Sequence, residues 1–283
     1  MVKNTNLSIQ CRGRILDFSK PLVMGILNLT PDSFYEKSRV EDEKDLFQTA
    51  EKMIMEGATF LDLGAYSSRP GADNIDEKTE NDRLIPALNF LLKEFPDMLF
   101  SADTFRSEIA KSALDNGADL INDISGGSLD AEMMKTVGNY SVPYIMMHMK
   151  GNPQTMISET HYLDFLPELI DYFSLKIQQG LEAGIKDIII DPGFGFAKNR
   201  EHNFQLLANL NCLEILQKPI LVGLSRKSMI YKLLETDAEN ALNGSTAAHV
   251  LALKGGATIL RVHDVKPAVE AIKIYQETEK YYF

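Results

Sequence analysis

Cysteine is scarce in this chain, with only Cys11 and Cys212 among 283 residues. Neither belongs to a CxxC pair or to any other metal-ligand spacing, which argues against a disulfide scaffold or a thiolate metal centre and for two reduced thiols in a cytoplasmic protein. No stretch reaches the roughly 18 uninterrupted apolar residues of a membrane span. The opening MVKNTNLSIQCRGR has no apolar core of a secretory signal, so no membrane partner is expected. Positive charge is also short. The 29 Lys and Arg stand against 40 Asp and Glu, a net charge of -11, and nonspecific binding to nucleic acid does not fit that balance. An anionic ligand would have to be attracted by local structure against the global field. No low-complexity linker, charge block or Pro/Gly-rich hinge divides the chain, and residues 1–283 are expected as a single domain.

What the sequence has is alternation. Apolar residues make up 45% of the chain, enough for a substantial core. Short apolar runs at 22–28, 59–63, 98–102, 119–122, 142–147, 187–190, 219–223 and 258–262 are each followed by a plausible amphipathic helix, for example 43–56, 77–95, 107–116, 164–183 and 266–281. Several helices end in a related phrase: EGA at Glu56, NGA at Asn116, AGI at Ala183 and GGA at Gly255. Glycine there stops the helix and lets the chain turn into the next strand. Eight βα units favour a closed (β/α)8 TIM barrel over a doubly wound sheet of five to seven strands. Residues 8–18, around Gly13, read as a β-hairpin ahead of the first barrel strand, placed to plug the barrel bottom.

In such a barrel, function gathers at the C-terminal ends of the strands. Asn28, Asp103, Asn122, Asp123, His148, Asp191, Arg226, Lys227, Arg261 and His263 all fall there, and Arg69 lies in the loop after the second strand. Each has a structural reading on its own, since an Asp or Asn after a strand commonly caps the next helix. The joint pattern does not, because nearly every strand delivers a polar group to one rim. His161, His202 and His249 have no partner set and receive no role. The acidic run at 40–45 reads as a solvated helix start.

The ordered motifs MGILNLTPDSF (24–34), SSRPGA (67–72), SADT (101–104), INDISGG (121–127), MHMKGNPQTM (147–156), DPGFGFAKN (191–199), GLSRKS (223–228) and RVHDV (261–265) resemble those of dihydropteroate synthases. The likeness covers nearly the whole chain from Leu22 onward. It implies a transferase of folate biosynthesis that joins a dihydropterin pyrophosphate to para-aminobenzoate, with magnesium as cofactor and a homodimer as the assembly. By that resemblance Asp103, Asn122, Asp191 and Lys227 form the pterin pocket, with Met147 a further substrate contact. A pterin edge carries a guanidine-like row of donors that a carboxylate such as Asp191 can receive in pairs. Asn28, Arg69, Arg261 and His263 would hold the pyrophosphate, with Asn28 also a magnesium ligand. Ser68, Pro70, Phe196 and Ser228 would surround para-aminobenzoate, its carboxylate on the N-terminus of the helix opened at Ser228 and Phe34 closing over its ring. Asp103, Lys227, Arg261 and His263 are the residues expected to carry catalysis. Two other readings of the resemblance are a methyltetrahydrofolate–corrinoid methyltransferase-like barrel and a non-catalytic pterin-binding paralogue.

The chain departs from the family pattern in three loops. Lys37 and Ser38 stand where a DGG-like turn is usual, Tyr66 and Ser68 where Glu and Thr are usual, and Ala197 where Gly is usual. A left-handed backbone is less comfortable with alanine than with glycine.

Overall fold

The computed structural model describes residues 7–29, 39–66, 74–156 and 159–281. Strands β1 (Ser8–Cys11) and β2 (Arg14–Asp17) pair antiparallel, and the turn between them places Arg12 and Gly13 in the left-handed region at φ +47° and +68°. Eight parallel strands follow: β3 (Leu22–Asn28), β4 (Phe60–Gly64), β5 (Leu99–Asp103), β6 (Leu120–Asp123), β7 (Tyr144–Met147), β8 (Ile188–Asp191), β9 (Leu221–Val222) and β10 (Ile259–Val262). Their order is β8-β7-β6-β5-β4-β3-β10-β9, and a bridge from Ile190 to Ile220 brings β8 back to the chain entering β9. The expected (β/α)8 barrel with its N-terminal hairpin is therefore present.

The helices are α1 (Arg39–Met55), α2 (Glu77–Glu94), α3 (Ser107–Asp115), α4 (Met133–Tyr140), α5 (Phe165–Glu182), α6 (Arg200–Ala208), α7 (Ser228–Tyr231), α8 (Leu242–Lys254) and α9 (Val265–Glu279). The four repeated phrases close their helices in one way. Gly57, Gly117, Gly184 and Gly256 have φ of +103°, +101°, +92° and +96°. The residue after each glycine donates its N–H five residues back, as in Ala58 to Met53 and Ala118 to Ala113, both 3.0 Å or less. This is the Schellman closure, which a residue with a Cβ enters only at a cost. Among the described residues no helix is long and apolar enough to cross a membrane.

Two layers of packing position the site. Outward side chains of the strands, such as Leu61, Leu63, Phe100, Ile121 and Ile190, bury against the helices in one large core. Inside the barrel, Met24, Phe60, Leu99, Leu120, Ile145, Ile189, Leu221 and Ile259 come one from each strand and meet Ile9, Cys11 and Phe18 of the hairpin. The hairpin thus plugs the barrel bottom. Arg12 holds it there with a bidentate pair to Asp119 (2.6 and 2.7 Å) and a bond to the Pro96 carbonyl (2.6 Å). Burial, with the nearby Asp119 carboxylate, pushes the Cys11 thiol up to about 12, so this cysteine is an inert core residue.

Differences from the sequence reading are small but directional. Strands β4, β5, β6 and β8 begin and end one residue later than their apolar runs, so Asp103, Asp123 and Asp191 are the last residues of β5, β6 and β8. Asp103 and Asn122 do not cap helices: the N-cap of α3 is Arg106, and the Asn122 side chain turns inward. The expected helix at Ser228 is a single turn of four residues, closed beyond its end by Glu235 at φ +54°.

Candidate active site

Side chains alternate across a strand, so the next inward position lies two residues above each member of the plug. Counting up from Phe60, Leu99, Leu120, Ile145, Ile189 and Ile259 gives Asp62, Ser101, Asn122, Met147, Asp191 and Arg261. One pleat converts an apolar plug into a polar floor. Neighbouring strands hold these residues in register, since Asn28 pairs with Gly64, Gly64 with Asp103, and Asp103 with Asn122.

Asp62 is the centre of this floor. It is fully buried, and its Oδ2 accepts from Asn122 Nδ2 at 2.9 Å and from Arg261 Nε at 2.6 Å. Arg261 also donates through Nη2 to Asp103 Oδ2 at 2.6 Å. One guanidinium therefore bridges two carboxylates from β4 and β5. Withdrawal from water raises Asp103 to about 8 despite Arg261, and Asp62 adds to the rise by like-charge repulsion. The Asp62 Oδ1 and Ser101 Oγ atoms are buried without a hydrogen-bond partner among the described residues. The carboxylate oxygen is an acceptor, and the hydroxyl a donor or acceptor, available to a ligand on the barrel axis.

A second group forms across β8 and the segment after β9. Burial raises Asp191, opposed by the Lys227 ammonium, and its Oδ1 accepts from the Gly193 N–H at 2.7 Å. Burial pushes Lys227 down to about 8, opposed by Asp191. Its ammonium donates to the Phe194 carbonyl and lies 4.5 Å from the centre of the Phe196 ring. A Cβ at Gly195, whose φ is +80°, would sit 3.3 Å from the Lys227 side chain. Met147 joins Ile124, Met149, Met156 and Ala197 in an apolar wall, with Phe105 and Phe196 packed against it.

Other expected site residues are placed less centrally. His263 shares the Ser225 hydroxyl through its backbone N–H (3.3 Å) and Nδ1 (3.2 Å), and Asn28 is half-buried at the end of β3. Ser228 is exposed at the start of α7. Arg226 is a structural residue: its left-handed backbone (φ +57°) lets the guanidinium grip Asp264 with two 2.8 Å bonds. Asp123 is likewise structural, accepting from Ser125, Gly127 and Tyr144. Phe34, Lys37, Ser38, Ser68, Arg69 and Pro70 lie outside the described residues. His202 packs against the Tyr162 and Phe165 rings, and His249 is buried in α8.

Asp62 and Ser101 are the residues that a reading of strand ends overlooks, because they lie inside their strands. The two-residue period counted from the apolar plug finds both.

A family profile described as pterin binding enzyme matches residues 24–263. The dihydropteroate synthase of Escherichia coli K12 is 40% identical over 274 residues, covering 96% of this chain and 96% of that protein. A crystal structure of the Yersinia pestis dihydropteroate synthase in a sulfonamide drug complex is similar at TM-score 0.90 and 39% identity, over 97% of this chain and all of that one. The Xanthomonas albilineans dihydropteroate synthase solved with 4-aminobenzoic acid is similar at TM-score 0.89 and 37% identity, over 97% and 99% of the two chains.

Proposed function

The chain belongs to the pterin-binding enzymes, and on that premise we propose that its single barrel domain acts as a dihydropteroate synthase. In this reaction the arylamine nitrogen of para-aminobenzoate attacks the methylene carbon of 6-hydroxymethyl-7,8-dihydropterin pyrophosphate. The new C–N bond replaces the C–O bond, pyrophosphate leaves with the bonding pair, and the nitrogen gives up a proton. The observation that carries this reading is the polar floor one pleat above the plug. It presents carboxylates, an amide and a hydroxyl to the barrel axis, with two buried oxygens unpaired among the described residues.

The chain's own groups divide the work. Asp191, oriented by the Gly193 N–H, would accept from the amino group and ring N–H of the pterin, while Asn122 suits its mixed donor and acceptor edge. Lys227 would face the ring carbonyl and a ring nitrogen. Asp103 would stabilise the positive charge that the dihydropterin ring takes up as the C–O bond breaks. Arg261 has two of its N–H donors engaged by Asp62 and Asp103, and the remaining directions of the guanidinium fork are those that would meet the pyrophosphate beside His263, Arg69 and Asn28. Pro70, Phe196, Ser68 and Ser228 would surround para-aminobenzoate. A four-residue helix carries little dipole, so its carboxylate would rest on the hydroxyl and backbone N–H groups at Ser228 more than on α7 as a whole.

A divalent cation fits this donor set, and magnesium fits it best. Among the described residues no group of three His, Cys, Asp or Glu side chains could cage a metal. A single amide oxygen from Asn28, completed by phosphate oxygens and water, is the coordination magnesium accepts. When bound, the ion would neutralise charge on the departing pyrophosphate. The proposal extends to a cytoplasmic homodimer, for which the exposed Leu251 of α8 and Ile274 of α9 offer apolar surface.

The test is turnover of the purified protein with both substrates and magnesium. Dihydropteroate and pyrophosphate should appear in equal amounts, and removing the cation with a chelator should stop both. Folded protein that forms no dihydropteroate would falsify the reading.

A further inference from the structure

Lys198 takes no part in the chemistry above, yet it is 7% exposed and lies beside the mouth of the barrel. Its ammonium contacts His148 Nδ1 at 2.9 Å, the Gly193 carbonyl at 3.0 Å and the Phe196 carbonyl at 3.0 Å. Three donors thus meet three acceptors, and no carboxylate among the described residues lies within ion-pair distance of it. A buried ammonium with no carboxylate in contact is costly, and burial pushes both Lys198 and His148 well below their ordinary values, although the Asp191 carboxylate opposes the shift of Lys198 from beyond ion-pair distance. A methionine or leucine would fill the same volume without that cost, so the three contacts need an explanation other than stability.

The loop those contacts organise supplies one. Residues 192–197 wrap around the ammonium, with Gly193, Gly195 and Ala197 at φ +69°, +80° and +47°, and two of their carbonyls turn in toward it. On its outer side the same loop presents the Phe194 carbonyl, which receives Lys227, and the Phe196 ring beneath the Lys227 ammonium. Asp191, by contrast, ends β8 and is fixed by the ladder to Met147 as well as by the loop. The loop therefore governs the Phe196 ring most directly, whereas Asp191 is also held by the strand ladder and Lys227 keeps the Asp191 carboxylate as a partner outside the loop.

We propose that Lys198, tethered to His148, is a positioning residue for the arylamine subsite, setting the Phe196 ring and thereby the affinity for para-aminobenzoate. The inference rests on the dihydropteroate synthase reading. Its test is a kinetic split. Lys198→Met keeps the length and removes all three donors. It should raise KM for para-aminobenzoate about tenfold, the usual scale of losing a charged hydrogen bond, while calorimetry finds Kd for the pterin pyrophosphate within about threefold of wild type. If Lys198 acts through Phe196, adding Lys198→Met to Phe196→Ala should raise KM by less than about twofold.

His148→Phe provides a second route, since it keeps a ring against Tyr172, now 4.7 Å away edge-on, and removes one acceptor. It should show the same split at about threefold, and carries the test alone if Lys198→Met does not fold. Variants that weaken both ligands equally, or whose effects multiply in the Phe196→Ala background, would show a core staple and overturn the proposal. A wild-type protein that forms no dihydropteroate would instead sink the functional reading, so the two failures are distinguishable.

Discussion

Replacing Asp62 by asparagine removes one charge from the buried web and leaves its shape. The amide oxygen can still accept from Asn122 and Arg261, which now approach Asp62 Oδ2 at 2.9 and 2.6 Å. Two carboxylates held by neighbouring nitrogens of one guanidinium lie on the order of 6 Å apart. At an effective dielectric of about 20 their repulsion is on the order of 3 kcal/mol, or about two pKa units. Asp103, raised to about 8 in the native protein, should therefore fall to roughly 6 in the variant. The acid limb of the pH profile of kcat/KM for the pterin pyrophosphate reports the free enzyme and should move down with it. Stability gives an independent reading. A raised carboxyl contributes stability below its unfolded value that is lost as pH rises through the folded one, so the native protein loses stability up to about pH 8 and the variant only up to about pH 6. The variant's stability deficit should shrink between pH 6 and 8 in urea titrations. An acid limb that stays in place, with a deficit independent of pH, would refute the charge coupling between Asp62 and Asp103.

Three further outcomes follow from the same geometry. Arg261→Ala leaves Asp62 and Asp103 without their cation and should cost about 3–5 kcal/mol at pH 8, less at pH 5 where the carboxyls take up protons, as read by denaturant unfolding at both values. Asp103→Asn keeps one acceptor for Arg261 and should lower turnover about 100-fold to 1000-fold while Kd for the pterin pyrophosphate changes less than about tenfold; equal losses in both would make Asp103 a positioning group only. Ala197→Gly relieves a left-handed alanine, a gain of about 1–2 kcal/mol, but loses a buried methyl worth about 0.8 kcal/mol and adds unfolded-state entropy of about 0.4–1 kcal/mol, so Tm should move by less than about 3 °C.

The barrel was legible in the chain because two local codes repeat. Apolar runs of strand length recur eight times, and the glycine phrases mark helix ends that the backbone realises as the same left-handed closure. The rim was legible because polar residues interrupt the runs at their ends. Asp62 was not, because a charged residue inside an apolar run reads as an irregularity until the bottom plug fixes which parity faces inward. The pairing of Arg261 with Asp62 and Asp103 was illegible for a different reason: its partners lie 199 and 158 residues away, and nothing local distinguishes a cation that waits for an anion from one already bridging two carboxylates. The length of α7 depends on a left-handed Glu235, which residue propensity does not announce.

Stability alone does not explain why a barrel of this construction carries charge at its centre. A buried carboxylate–guanidinium web returns little net free energy, since desolvating the ions consumes most of the Coulomb gain, and well-packed apolar residues of similar volume do as well or better. The layer beneath shows that this chain can build such packing, with an apolar side chain from every one of the eight strands. One pleat higher, β4, β5, β6, β8 and β10 place Asp62, Ser101, Asn122, Asp191 and Arg261 on the same axis, and two of the oxygens have no partner among the described residues. The abrupt change between consecutive inward positions of the same strands is thus a cost that folding does not require. It is accounted for if the missing hydrogen bonds are made by a ring that brings donors and acquires positive charge as it reacts.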